Sequence, residues 1–186
     1  MRKLILIGSS TGGPGHIEKI LSSLPKDFDA TIIIAQHMGD EYLPSFATRL
    51  DRESKLKVSL AENGQEIKSS HIYICTKKSE IQYGKTMNFI VSENMQSNYN
   101  PSINALFDSA VNIDSSCEIL AIILTGIGDD GVKGIKNLSG SGRETIAESH
   151  KSAVVYGMPK RAAEAVKEIK VLSLDEIINY INKFGA

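Results

Sequence analysis

Three short aliphatic runs, at positions 4–7, 31–35 and 119–124, dominate the hydrophobic pattern of this chain. Each is continuous rather than alternating. That suits strands buried on both faces, as in a parallel sheet covered by helices. The runs are too short for helices, and they end in glycine or polar clusters. Helix-period segments lie between and after them. Ile17, Ile20, Leu21 and Leu24 repeat at three and four, and Pro25 closes that helix. Pro101 precedes a segment over 102–113 that gathers Ile103, Leu106, Phe107, Ala110 and Val111 on one face. A helix follows Met158-Pro159, and Val171-Leu172 reads as a short last strand. Ser173-Leu174-Asp175-Glu176 has the form of a capping box and opens a final helix with Leu174, Ile177, Ile178 and Ile181 inward. The middle differs. Strand-like pieces at 71–75, 80–83 and 88–92 are separated by Lys77-Lys78 and Gly84-Lys85, which reads as an antiparallel hairpin or meander. The expected class is α/β. It is a doubly wound, mostly parallel sheet with helices on both faces and an antiparallel β-hairpin insertion near residues 71–93.

Composition narrows the setting. The length of 186 residues fits one domain, 1–186, able to bury a core without a disulfide or metal staple. With 21 Lys+Arg against 22 Asp+Glu, the net charge is −1. Near-neutrality argues against a protein that works by neutralising nucleic-acid phosphates or by coating an anionic membrane. The two cysteines, Cys75 and Cys117, fit reduced, buried thiols, and no Cys-x-x-Cys pair supports a zinc site. No apolar stretch approaches 18 residues, and the run at 4–7 is too short for a signal peptide. A cytoplasmic protein is expected, without membrane insertion.

Each core run leads into a loop with candidate chemistry. The first enters Gly8-Ser9-Ser10-Thr11-Gly12-Gly13. Glycines there would let backbone N–H groups approach an anion at a helix N-terminus. The same residues match G-x-S-x-G, a nucleophile elbow that exposes one hydroxyl, here that of Ser10. A tight strand-to-helix turn is the plainer alternative. The second run is followed by Gln36-His37-Met38; of the four histidines only His37 directly follows a core strand. The third leads into Thr125-Gly126-Ile127-Gly128-Asp129-Asp130-Gly131. Its aspartates suit a helix cap, a solvated loop or a cation ligand, although the oxygen ligands of an EF-hand loop are missing. Open parallel sheets bind ligands outside the carboxyl ends of their strands. If the three strands are neighbours, Ser10, His37 and Asp130 converge as a triad. Thr11 N–H would then be an oxyanion donor, as the residue after the nucleophile, with a second donor from the backbone of the 126–128 turn.

Five ordered blocks, Ile7 to Gly13, Gln36-His37-Met38, Asn100-Pro101-Ser102-Ile103, Leu124 to Gly131 and Val154-Val155-Tyr156-Gly157-Met158-Pro159, together resemble the catalytic domain of the CheB chemotaxis methylesterases. The resemblance spans nearly the whole chain. It implies a protein-glutamate methylesterase, and in many members also a protein-glutamine glutaminase. Such an enzyme acts on chemoreceptors, with water as second substrate and no cofactor or metal. The resemblance implies Ser10 as nucleophile, His37 as general base and Asp130 as the orienting acid. Ile127 stands where the family often has Met, whose backbone N–H faces the oxyanion. Three departures stand out. Asn100 and Asn104 replace a common Arg and Asp around the Pro-Ser motif. Ser149-His150 replaces an acidic or amide pair. The family's common inhibitory receiver domain does not precede the first strand, so a receiver is expected, if anywhere, as a separate partner. Both an excised domain and a standalone enzyme fit that start. Two other readings compete: a nucleotide- or phosphate-binding α/β domain built on the glycine-rich loop, and a non-catalytic receptor-binding module.

Overall fold

The computed structural model describes residues 1–93 and 98–186. In chain order it forms β1 (Arg2–Ser9), α1 (Gly13–Ser23), β2 (Thr31–Gln36), α2 (Leu43–Glu53), β3 (Lys57–Leu60), β4 (His71–Ile74), β5 (Lys78–Tyr83) and β6 (Met87–Ser92). There follow α3 (Ile103–Ser109), β7 (Cys117–Ile123), α4 (Val132–Gly140), β8 (Glu144–Glu148), α5 (Met158–Ala165), β9 (Lys170–Leu172) and α6 (Leu174–Phe184). Among the described residues one sheet has the order β3-β4-β2-β1-β7-β8-β9, with every pairing parallel. A separate antiparallel pair joins β5 and β6.

The continuous aliphatic runs are buried on both faces because each face is covered. Ile5, Ile7, Ile32 and Ile34 pack with residues of α1, α2 and α6. Leu4, Leu6, Ile33 and Ala35 pack with α3, α4, α5 and the β5–β6 hairpin. Removing one such side chain from water contributes about 1.5–3 kcal/mol. The two-sided burial is what leaves the loops at the strand ends free for chemistry. The doubly wound α/β class therefore stands.

The insertion is narrower than the pattern near 71–93 suggests. The antiparallel hairpin is β5–β6 alone, whereas His71–Ile74 is a parallel strand between β2 and β3. Its residues split between faces: Ile72 and Ile74 join one core layer and Tyr73 the other. Short length and flanking lysines gave that strand the look of a hairpin arm. The structure also adds α2, β3 and β8, which carry no continuous aliphatic run. The final helix starts as its sequence signals, with Ser173 and Glu176 forming a reciprocal capping box. Ser102 caps α3 by accepting from Ala105 N at 3.2 Å. Cys75 and Cys117 are free and buried, and burial pushes the Cys75 thiol up to about 12. No helix among the described residues is long and apolar enough to cross a membrane.

The topology fixes where a site can form. The chain leaves β1 toward β2 on one side and later returns to pair β7 on the other. The connections after β1 and β7 therefore diverge to opposite faces, and a crevice opens between them at the carboxyl edge.

Candidate active site

Strand register brings the first two loops together. Ser9 pairs with Gln36, the last residues of β1 and β2, so Ser10 and His37 emerge side by side. His37 N donates to Ser9 O at 2.9 Å. On the other flank Ser10 N donates to Thr125 O at 3.0 Å, which carries the β1–β7 pairing into the loops. The chain then turns into α1, with Gly13 N donating to Ser10 O at 2.8 Å. Gly126 lies directly on Ser10: a Cβ there would sit 2.7 Å from Ser10 Cβ, so only glycine permits this approach.

His37 and Asp130 meet. His37 Nε2 lies 2.7 Å from Asp130 Oδ2. Asp130 is buried, and its carboxylate is satisfied by more than the imidazole. Oδ2 also accepts from Ile103 N at 2.8 Å, and Oδ1 from Asn104 N at 2.9 Å. Asp130 therefore receives the first amides of α3, whereas its own helix, α4, is capped by Gly131. A helix-capping role and an orienting role coincide in one side chain. Three donors hold the carboxylate in a single orientation, as a buried charge requires.

Ser10 is brought beside His37, but among the described residues its Oγ makes no hydrogen bond, so the nucleophile–base link is not formed in this structure. Such bonds often tighten only around substrate. Thr11 follows Ser10, and Ile127 follows Gly126, the residue that lies against Ser10. Among the described residues neither the Thr11 nor the Ile127 amide N–H serves as a hydrogen-bond donor. Ile127 is 61% exposed and Val154 64%, and Val154 stands over Gly12, where a Cβ would sit 2.6 Å from Val154 Cβ.

Several contributing residues carry no signal in the sequence pattern. Tyr99 stacks on the His37 imidazole with centroids 5.0 Å apart and planes 11° from parallel. Its hydroxyl donates to Asp129 Oδ1 at 3.1 Å. Partial burial raises the Tyr99 phenol above its ordinary value, and the Asp129 carboxylate raises it further. Asp129, the exposed neighbour of Asp130, thus holds the ring that covers His37. Tyr99 sits in a polar stretch without period, so only tertiary contact reveals it.

Glu148, at the end of β8, is fully buried. Its Oε2 accepts Thr125 N–H at 2.8 Å and lies 3.2 Å from His16 Nδ1, while Oε1 accepts from Ser152 Oγ at 2.7 Å. It anchors the first residue of the loop that carries Gly126, Ile127 and Asp130. Thr125 Oγ1 in turn donates to Thr11 O at 2.8 Å, tying that loop to the serine loop.

The departures from the family motif have local partners. Asn100 Nδ2 donates to Asp40 at 2.9 Å, and Asn104 Oδ1 accepts from Gly134 N at 2.9 Å, joining α3 to α4. Ser149 is buried with its Oγ unpartnered among the described residues, and His150 is exposed, edge-on to Tyr156. Among the described residues no group of three or more His, Cys, Asp or Glu side chains is placed to hold a metal ion.

This geometry can be set beside known proteins. The family model described as CheB methylesterase matches residues 5–181. A Thermotoga maritima protein named protein-glutamate methylesterase/protein-glutamine glutaminase is 39% identical over 87% of this chain and 48% of its own length. A Lawsonia intracellularis protein of the same name is 39% identical over 95% of this chain and 50% of its own. The crystal structure of the Thermotoga maritima CheB methylesterase catalytic domain superposes with a TM-score of 0.90 at 34% identity, covering 98% of each chain. The chain spans about half the length of the curated relatives it matches.

Proposed function

The chain belongs to the CheB methylesterase family, and from that premise we propose that it hydrolyses glutamyl methyl esters on chemoreceptors, with Ser10 as nucleophile, His37 as general base and Asp130 as its orienting partner. Residues 1–186 act in this reading as one catalytic domain. The observation that carries it is the His37–Asp130 bond at the mouth of the β1–β7 crevice, beside Ser10. A carboxylate bound to two amides can only accept, so His37 Nε2 carries the ring hydrogen. The Nδ1 lone pair is then left to take the Ser10 proton.

The proposed reaction uses these positions in turn. Ser10 Oγ attacks the γ-ester carbonyl while His37 Nδ1 takes its proton, and Asp130 stabilises the resulting imidazolium. The oxyanion receives the Thr11 and Ile127 amides. Collapse breaks the C–O bond, and His37 returns its proton to the departing methoxide, releasing methanol. Water, deprotonated by the same nitrogen, attacks the acyl-Ser10 carbonyl and frees glutamate and the serine. With a glutamine substrate the leaving group is ammonia, and the relatives named glutaminase make that the second substrate to assay. No step uses a metal or organic cofactor, a nucleic acid or a membrane. Receptor helices that carry such esters are cytoplasmic, which places the enzyme's work there, and a receiver domain acting on it would be a separate partner or a further part of a longer protein.

The test is methanol release from a methylated receptor fragment. Wild-type protein should release methanol, and Ser10→Ala should release it no faster than buffer. Wild-type turnover by Ser10→Ala would remove Ser10 from its role. Binding without turnover by the wild-type protein would favour a receptor-binding module instead.

A further inference from the structure

We infer that Gln36 is a positioning residue: its buried carboxamide clamps the backbone of Ser10 to that of His37 and so sets the distance between nucleophile and base. This rests on the proposed roles of those two residues. Gln36 is the last residue of β2 and only 2% exposed. Its Nε2 donates to Ser10 O at 3.0 Å and to His37 O at 2.9 Å. Its Oε1 accepts from Ser9 Oγ at 2.6 Å.

The orientation of the amide is fixed by chemistry. Both carbonyl oxygens can only accept, so the NH2 group must face them, and each of its two hydrogens has one partner. The oxygen then faces Ser9, whose hydroxyl can donate. The reversed amide would set an oxygen against two carbonyl oxygens. Space for it is provided at Gly13: a Cβ there would lie 2.1 Å from Gln36 Oε1. The sheet already pairs Ser9 with Gln36, but that ladder ends where the reacting residues begin. Beyond it, His37 N–H to Ser9 O is the backbone link between the two loops, and Gln36 adds a side-chain link on each side of it. Loss of the carboxamide leaves the Ser10 and His37 carbonyls free to part while the sheet below stays intact. A misplacement of about 1 Å in a reacting group can cost about a hundredfold in rate.

The experiment is steady-state kinetics on the methylated receptor fragment, with melting temperatures, for Gln36→Met, Gln36→Glu and Ser10→Ala. Gln36→Met keeps the length and burial of the side chain and removes its hydrogen bonds. Gln36→Glu keeps the shape and replaces the donor by oxygen, and Gln36→Met stands alone should that variant fail to fold. The expected result is a folded Gln36→Met protein with kcat lowered about 10- to 100-fold and KM within about twofold of wild type, since the substrate-facing surface is untouched. A folded Gln36→Met protein with wild-type kcat, or one whose loss lies wholly in KM, overturns the clamp. The two failures are separable. An inactive Ser10→Ala beside a fully active Gln36→Met rejects the clamp alone, whereas an active Ser10→Ala rejects the nucleophile assignment beneath it.

Discussion

Two buried histidine–carboxylate pairs stand near one another at the carboxyl edge of the sheet, His37 with Asp130 and His16 with Glu148. Each carboxylate also accepts at least one backbone amide: Ile103 and Asn104 for Asp130, Thr125 for Glu148. Burial is similar too, with side-chain exposures of 12% for His37 and 10% for His16. What separates them is what lies beyond the imidazole. His37 follows β2 and shares the β1–β2 register with Ser10, so its second nitrogen is available to a serine hydroxyl at the mouth of the crevice. His16 lies on α1, and its Nδ1 is spent on Glu148. Glu148 carries further donors, Ser152 Oγ and Thr125 N–H, and so belongs to a scaffold that holds the loop from behind. A histidine beside a carboxylate is therefore not in itself a catalytic pair. In the proposed reading it becomes one where the strand order brings a serine beside the ring.

Paired substitutions can break that contrast. The largest effect is expected from the histidines. His37→Gln should lower methanol release by at least about 10⁴-fold, as removal of a triad base does, while His16→Gln should keep most of its kcat and lose mainly stability. Comparable losses in both would erase the distinction. Next come the carboxylates. Asp130→Asn can still be held by the α3 amides only through its remaining oxygen, and it presents an amide to His37; a fall of about 10²–10⁴-fold in kcat is expected. Glu148→Gln keeps an acceptor for Thr125 N–H, and so should cost about tenfold or less in kcat, with a destabilisation of about 1–3 kcal/mol by thermal or denaturant unfolding. The smallest effect concerns the ring over His37. Tyr99→Leu removes the stack and should lower kcat by about tenfold, whereas Tyr99→Phe keeps the stack, loses the hydroxyl's link to Asp129, and should stay within about threefold of wild type. If Phe and Leu behave alike, the stacking itself contributes nothing.

The same contrast shows what could be read from the sequence. The placement of the loops that carry Ser10, His37 and Asp130 is legible because each follows a continuous aliphatic run, and buried parallel strands deliver their loops to one edge. That of Glu148 is not. Its strand, Glu144–Glu148, has polar ends and only Ile146-Ala147 between them, so no run announces it, and its partner His16 lies 132 positions away. Tyr99 likewise acts through a contact that crosses from a polar segment to the β2 loop. Gln36 was visible within the Gln-His-Met block, but its part in the site depends on the β1–β2 register, which periodicity does not specify. The parallel strand at His71–Ile74 has the sequence look of a hairpin arm for a related reason. Four residues beside lysines cannot reveal whether both faces are covered. Local pattern thus locates the loops that the proposed chemistry uses, and tertiary pairing decides which side chains hold those loops in place.

The most direct measurement is the rate and site of covalent labelling by a fluorophosphonate, a serine-directed reagent that needs no receptor, followed by peptide mass mapping. The expected result is one adduct on Ser10, formed at least about 100-fold more slowly in Asp130→Asn than in wild type and within about tenfold of wild type in Glu148→Gln. An adduct on another residue, or equal slowing by the two carboxylate substitutions, would contradict the account.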